Sequence, residues 1–225
     1  MNYRRHGTYS AIGIAALFVG FAPMAAADGK PAAMPDTGRL GQQWWQLAMS
    51  LPAAGHPLLD DSGKLCMVGQ HGSTWFLNTS AGPLGEPAHT TCTIPEGMPI
   101  FFPLYAIICN PFPGETIQDN IAICKEAADA ADILRLVIDG KVRNDLIQRR
   151  VRRSPFPVTL PDENLFGYPA GIFDSVHDGY FALIPPMALG THIIRARGGT
   201  SVDGFGFDIR YRVHIVKPTR HVPLP

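Results

Sequence analysis

The sequence predicts a mainly β protein, an antiparallel β-sandwich of immunoglobulin-like or jelly-roll-like kind carrying two short helices. Three observations lead there. Over residues 156–216, apolar runs recur every 8 to 12 residues or so, with turn residues between them. The last run alternates: Phe205, Phe207, Ile209, Tyr211, Val213 and Ile215 share one parity, and Asp208, Arg210, Arg212 and His214 the other, as in a strand with one buried face. All four cysteines, Cys66, Cys92, Cys109 and Cys124, follow an export-type leader, and an even count there reads as a disulfide framework.

The leader is residues 1–27. Arg4, Arg5 and His6 form a basic start, residues 11–21 an apolar run, and Ala25-Ala26-Ala27 a cleavage site before Asp28. That run is about half of the roughly 20 residues a spanning helix needs, so cleavage is expected rather than anchoring. The residues flanking Arg4-Arg5 are not those of a twin-arginine signal, and no cysteine follows the cleavage site to take a lipid. The expected location is the periplasm or the medium. Without Arg4 and Arg5 the chain keeps 17 basic and 19 acidic residues. So balanced a charge gives no long-range field toward nucleic acid or anionic membrane. The expected organisation is a flexible leader at 28–39, one sandwich domain at 40–217 and a tail at 218–225.

Within the domain, residues 41–52 read as a helix, with Trp44, Leu47, Ala48 and Leu51 as its apolar stripe and Pro52 as its stop. Asp60-Asp61-Ser62-Gly63 has turn chemistry and lacks the alternating ligands of a calcium loop. Residues 64–70 and 73–79 are expected to form a hairpin about His71-Gly72. Residues 80–89, with Gly82-Pro83, Gly85 and Pro87, form a stiff excursion fastened by Cys92. The sequon at Asn78 closes an apolar strand, which counts against modification.

Residues 98–108 are too continuously apolar for a strand with one wet face; they read as a core strand buried on both sides and interrupted at Pro103. Residues 118–132 set Ile121, Cys124, Ala128 and Ala131 at helical spacing. Residues 134–138 and 141–143 flank Asp139-Gly140, a hairpin signal. The cluster Arg149, Arg150, Arg152 and Arg153 reads as the solvated side of an edge strand; a polyanion site is the competing reading, disfavoured because no aromatic is interleaved. Strands follow at 156–160, 171–176, 180–184, 191–197 and 205–216, with a turn at His177-Asp178-Gly179.

Four cysteines allow three pairings. Cys66 with Cys92 and Cys109 with Cys124 are preferred because each closes a short, non-interlocking loop, contributing about 3 kcal/mol on the chain-entropy account. No CxxC supports zinc. No G-x-S-x-G elbow, Walker loop, H-E-x-x-H or GxGxxG fingerprint occurs, and no two histidines stand at H-x-H or H-x3-H spacing. No cofactor or metal is expected, and no catalytic residue is assigned. His192 shares parity with Ile194 and Ala196 and reads as hydrogen-bonded near the core; His177 reads as a turn residue and His214 as solvated. Asp162, Glu163, Asp174, Asp178, Asp203 and Asp208 read as solvated acids. The candidate ligand site is Gln70, His71 and Trp75, polar and aromatic groups beside a stapled loop; the competing reading is that Gln70 and the nearby hydroxyls satisfy backbone groups at the hairpin end while Gly72 takes a positive φ. His71 and Ser73 as base and nucleophile are disfavoured, since neighbours in a turn rarely align and no orienting carboxylate is identifiable.

The ordered motifs Val68-Gly69-Gln70-x-Gly72-x-x-Trp75-Phe76-Leu77, Cys92-Thr93-Ile94-Pro95-x-Gly97 and Phe101-Phe102-Pro103 follow Trp44-Trp45 and His56-Pro57 and precede Asp178-Gly179-Tyr180 and Gly190-Thr191-His192. In these the chain resembles a family of exported prokaryotic proteins described only as hypothetical. The resemblance implies no activity and no site residue. The sequence therefore points to a secreted binding or structural module whose extracellular or periplasmic ligand is a carbohydrate or a peptide, with neither nucleic acid nor a membrane span expected. The competing readings are a glycan hydrolase using paired carboxylates and a subunit of an envelope assembly.

Overall fold

A computed structural model describes residues 35–78, 84–110, 115–202 and 204–218. The expected signal peptide, most of the leader, part of the 80–89 excursion and nearly all of the tail lie outside the described residues.

Helix α1 (Thr37–Ser50) begins inside the expected leader, because the Asp36 carboxylate accepts from Arg39 N at 3.1 Å and caps it. Its buried face is wider than the expected stripe, taking in Leu40, Gly41, Trp45 and Met49. The missing Cβ at Gly41 makes room for an imidazole: a Cβ there would sit 2.6 Å from His177 Cε1. At the helix end, His56 Nδ1 accepts from Leu58 N (3.0 Å), so Nε2 carries the proton and donates to Ala48 O (2.8 Å). A carbonyl left over from the last turn is thereby satisfied.

Residues 64–70 form turns and not the expected strand. Asp60 gathers Ser62 N (2.9 Å) and Leu65 N (2.6 Å), while Gly63 and Gly69 take φ of 78° and 72°. Strand β1 (Trp75–Phe76) consequently has no hairpin mate. On one side Gln70 replaces it: Oε1 accepts from Phe76 N (2.9 Å), and Nε2 donates to Phe76 O (2.6 Å) and Cys66 O (3.1 Å). A side-chain amide thus supplies the donor and acceptor of a neighbouring strand.

Strand β2 (Ala88–Pro95) occupies what read as the end of a loop, with Thr90, Cys92 and Ile94 buried. Strand β3 (Ile100–Cys109) is the expected core strand, with a register shift between Pro103 and Tyr105. Helix α2 (Ile117–Asp129) opens with a capping box: Asp119 N donates to Thr116 Oγ1 (3.2 Å) and Thr116 N to Asp119 Oδ2 (2.8 Å). It buries Asn120, Cys124 and Ala128 and leaves Ile121 exposed, one step round from the expected stripe. Strands β4 (Ile133–Ile138) and β5 (Lys141–Val142) make the expected hairpin, with positive φ at both Asp139 and Gly140.

Strands β6 (Ile147–Gln148) and β7 (Arg153–Leu160) follow. Between them Arg150, at φ 58°, ion-pairs with Asp129 of α2 and with Asp178, so the arginine run is not uniformly solvated. Strand β8 (Gly171–Ile184) runs straight through the expected His177-Asp178-Gly179 turn, burying His177 and Asp178. Gly179 serves close approach here and not chain reversal: it pairs with Ala106, and a Cβ would stand 2.4 Å from Tyr105 O. Strands β9 (Gly190–Gly199) and β10 (Gly206–Val216) complete the chain.

The strands form two mixed sheets, a sandwich. One runs β1-β3-β8-β6 with β7 also on β8; the other runs β2-β10-β9-β4-β5. Pairing is antiparallel except β1 with β3 and β2 with β10. Between the sheets lie Ile100, Phe102, Leu104, Ala182 and Ile184 from the first, packed with Leu136, Ile194, Tyr211 and Val213 from the second. On the far side of the first sheet, Phe101, Ala106 and Phe181 pack against Trp44 and Leu47 of α1. Both preferred disulfides are formed: Cys66–Cys92 ties the turns to β2, and Cys109–Cys124 ties β3 to α2. Replacing Gly179 with Ala should cost about 3 kcal/mol by forcing β3 and β8 apart, read as a lower urea midpoint at unchanged m-value.

Candidate functional site

The three residues expected to bind ligand do not share a surface. Trp75 is 2% exposed, between the sheets, and Gln70 is 4% exposed, spent on the backbone of Phe76 and Cys66. His71 alone stays accessible. Its Nδ1 donates to Gly69 O at 2.9 Å, and it separates two shallow depressions beside α1, of about 330 and 360 Å³. This corrects the expectation for Gln70 and Trp75: alternation assigns a residue to a face, and here that face is inside.

The larger depression, about 580 Å³, lies on the outer face of the second sheet, over β4, β9 and β10. The inward residues of these strands are apolar, so by the two-residue period the intervening positions point out. Those positions carry arginine from three strands. Arg135 of β4 stands opposite Arg197 of β9, and Arg197 opposite Asp208 of β10. One step along, Arg195 stands opposite Arg210; one step further, Ile193 stands opposite Arg212. Like charges directly opposite one another in a ladder repel, and here two such pairs are adjacent.

Little neutralises them. Among the described residues no carboxylate comes within ion-pair distance of Arg135, Arg195, Arg210 or Arg212. Of the two acids at the depression, one faces an arginine of the set and the other is committed elsewhere. Asp208 accepts from Gly85 N (3.0 Å) and faces Arg197 Nε at 3.6 Å. Asp139 accepts from Ile193 N (2.8 Å) and from His192 Nδ1 (2.7 Å). Val137 and Ile193 floor the depression, and no aromatic ring lines it. The site is a shallow dish of guanidinium donors.

His192 and Asp139 are an acid and an imidazole in contact beside this dish, the arrangement an acid/base enzyme would need. The geometry gives the pair another task. His192 Nε2 points at Ala188 O (2.9 Å), so both ring nitrogens face acceptors, an arrangement that favours the imidazolium. Partial burial lowers the His192 pKa, but the hydrogen bonds to Asp139 and Ala188 O and the carboxylate charge outweigh it, leaving it raised above 6.5. Asp139 would be raised by burial and is instead held below 3.8 by the His192 and Ile193 hydrogen bonds and the charges of His192 and Lys141. The pair locks the β4–β5 turn to the start of β9. Asp178, raised by burial against the pull of Arg150, is likewise enclosed and tied to that guanidinium. Among the described residues no group of three or more His, Cys, Asp or Glu is placed to hold a metal ion.

No protein-family model and no curated protein matches the chain. Among solved structures, a cysteine protease inhibitor from Entamoeba histolytica aligns with 57% of this chain and 87% of its own, at 14% identity and a TM-score of 0.23.

The arginine face is not legible in the sequence because it is not contiguous there. Arg149, Arg150, Arg152 and Arg153 are neighbours in sequence, whereas Arg135, Arg195, Arg197, Arg210 and Arg212 belong to three strands and converge only through register. The signal that was present is the outward parity of Arg210 and Arg212 combined with the arginines at alternate positions 195 and 197. The His192–Asp139 pair has a measurable signature. His192, raised in the fold, stabilises below 6.5 and ceases to as pH rises through its folded pKa; Asp139, lowered, stabilises above 3.8 and ceases to as pH falls through its own. The His192 ring proton should therefore titrate above 6.5 by NMR, and the loss of thermal stability between pH 6 and pH 8 should be smaller in His192→Phe.

Proposed function

We propose that the protein is an exported module that binds an anionic ligand on the outer face of its second sheet. The observation that carries this reading is the stacking of like charges. Arg195 opposite Arg210 and Arg135 opposite Arg197 each raise the free energy of the empty fold, by about 0.2–1 kcal/mol per pair if they resemble other cross-strand charges. A surface that served only solubility would alternate signs and avoid that cost. An anion laid across the guanidiniums relieves the repulsion and accepts their forked hydrogen bonds. Two disulfides support a place in an oxidising compartment, and no helix among the described residues is long and apolar enough to cross a membrane.

The site is a binding face and not a catalytic one, because the acid and imidazole beside it are held in fixed hydrogen bonds. The test compares the mature protein with an Arg195→Ala/Arg210→Ala double variant, using calorimetry against phosphate, citrate and polygalacturonate at low and high salt. At least one anion should bind the wild type, and more weakly as salt screens the face. The double variant should lose about tenfold or more in affinity while its urea stability stays equal or rises by up to about 1 kcal/mol. An Arg149→Ala variant should bind as wild type does. If no anion binds, or if the double variant binds unchanged, the site is elsewhere.

A further inference from the structure

We infer that the anion is a linear acidic polysaccharide lying obliquely across three strands, an inference that rests on the anion-binding reading and specifies its ligand. The first ground is the layout of the charges. The arginines do not surround a point, as they would for a compact anion such as phosphate. They descend as a staircase: Arg135 and Arg197 in one row, Arg195 and Arg210 in the next, Arg212 in a third. With strands about 4.8 Å apart and a rise of about 3.3 Å per residue, Arg135 and Arg212 are separated by two strands and four residues, roughly 16 Å on the diagonal. A compact anion spans one step of that staircase. An extended chain with acid groups at intervals spans all of it.

The second ground is what the face lacks. Strand β9 is hydrogen-bonded along both edges, to β10 and to β4, so its backbone is spent within the sheet. A ligand lying on this face meets side chains, and arginine offers donors with no acceptor. A polypeptide brings one N–H per residue that would need an acceptor, and peptide recognition by sheets normally uses a free edge. The two carboxylates nearby are already engaged, Asp139 by His192 and Asp208 by Gly85 N. A single-stranded nucleic acid brings bases that need a stacking platform, and no aromatic ring lines the depression. An acidic polysaccharide brings carboxylate or sulfate groups, ring oxygens and hydroxyls that act as acceptors, and hydroxyls can orient to whatever they meet. Val137 and Ile193, the aliphatic floor between the guanidiniums, suit the C–H face of a sugar ring.

The test uses oligogalacturonides from the disaccharide to the octasaccharide, with poly-glutamate of matched charge, single-stranded oligothymidine and citrate as competitors. Affinity should rise with oligosaccharide length and level off once the chain spans the staircase. Removing one end with Arg135→Ala or Arg212→Ala should shorten the length at which it levels off and cost about tenfold for the long oligomer, with little change for the disaccharide. If citrate binds as tightly as the octasaccharide, or poly-glutamate or oligothymidine binds more tightly, anion binding stands and the polysaccharide inference is overturned. If length has no effect among oligosaccharides that do bind, the oblique footprint is wrong. If none of these anions binds, the anion-binding reading itself falls.

Discussion

Strand β3 and the later part of β8 are buried on both faces, and the placement of much else follows from that. Strands β3 and β8 direct Phe102, Leu104, Ala182 and Ile184 toward the second sheet and Phe101, Ala106 and Phe181 toward α1. A sheet apolar on two sides needs two covers. Helix α1 supplies one and the second sheet the other, so the outward side of the second sheet is left to water. The arginine staircase lies there. In β3 the change of register at Pro103/Tyr105 keeps the strand in both interfaces, since it returns Ala106 to the helix side on which a strict two-residue period would not place it.

What could be read from the residues was whatever local chemistry decides. The Asp139-Gly140 hairpin, the two-sided burial of the segment around Phe101 and Phe102, the inward parity of Ile209, Tyr211, Val213 and Ile215, and the preferred cysteine pairs all rest on neighbours in sequence or on short loops. What could not be read depends on distant partners. Gly179 looked like the glycine of a turn, and its real constraint is the backbone of Tyr105 across the ladder. Gln70 reads in the sequence as a ligand amide or as a partner for backbone groups at a hairpin end. It is an internal substitute for a strand, visible only once the turns of residues 64–70 bring it beside Phe76. The site was the least legible part, because five arginines scattered over three strands become one surface only when register is known.

Several of the paired polar residues fasten one element to another. His56 ties the end of α1 to the segment after it, Arg150 ties α2 to β8 through Asp129 and Asp178, and His192 with Asp139 ties a hairpin tip to β9. Burying such groups costs solvation that only full pairing offsets. Their pairing fixes the borders of the sheets.

The parallel ladder between β2 and β10 also sets a condition on how the molecule assembles. Strand β2 lies in the first half of the chain, and its sheet partner is the last strand of the described residues. Closing so long a loop is entropically slow, and nothing earlier in the sequence can stand in for β10. The Cys66–Cys92 bond can form locally and hold β2 beside the turns, yet the sheet edge that β2 completes stays open until the C-terminal segment arrives. Before β10 pairs, β2 lacks its partner in the sheet and the apolar interior that Ile209, Tyr211 and Val213 complete is open. Aggregation is the hazard of that interval, which closes when β10 docks.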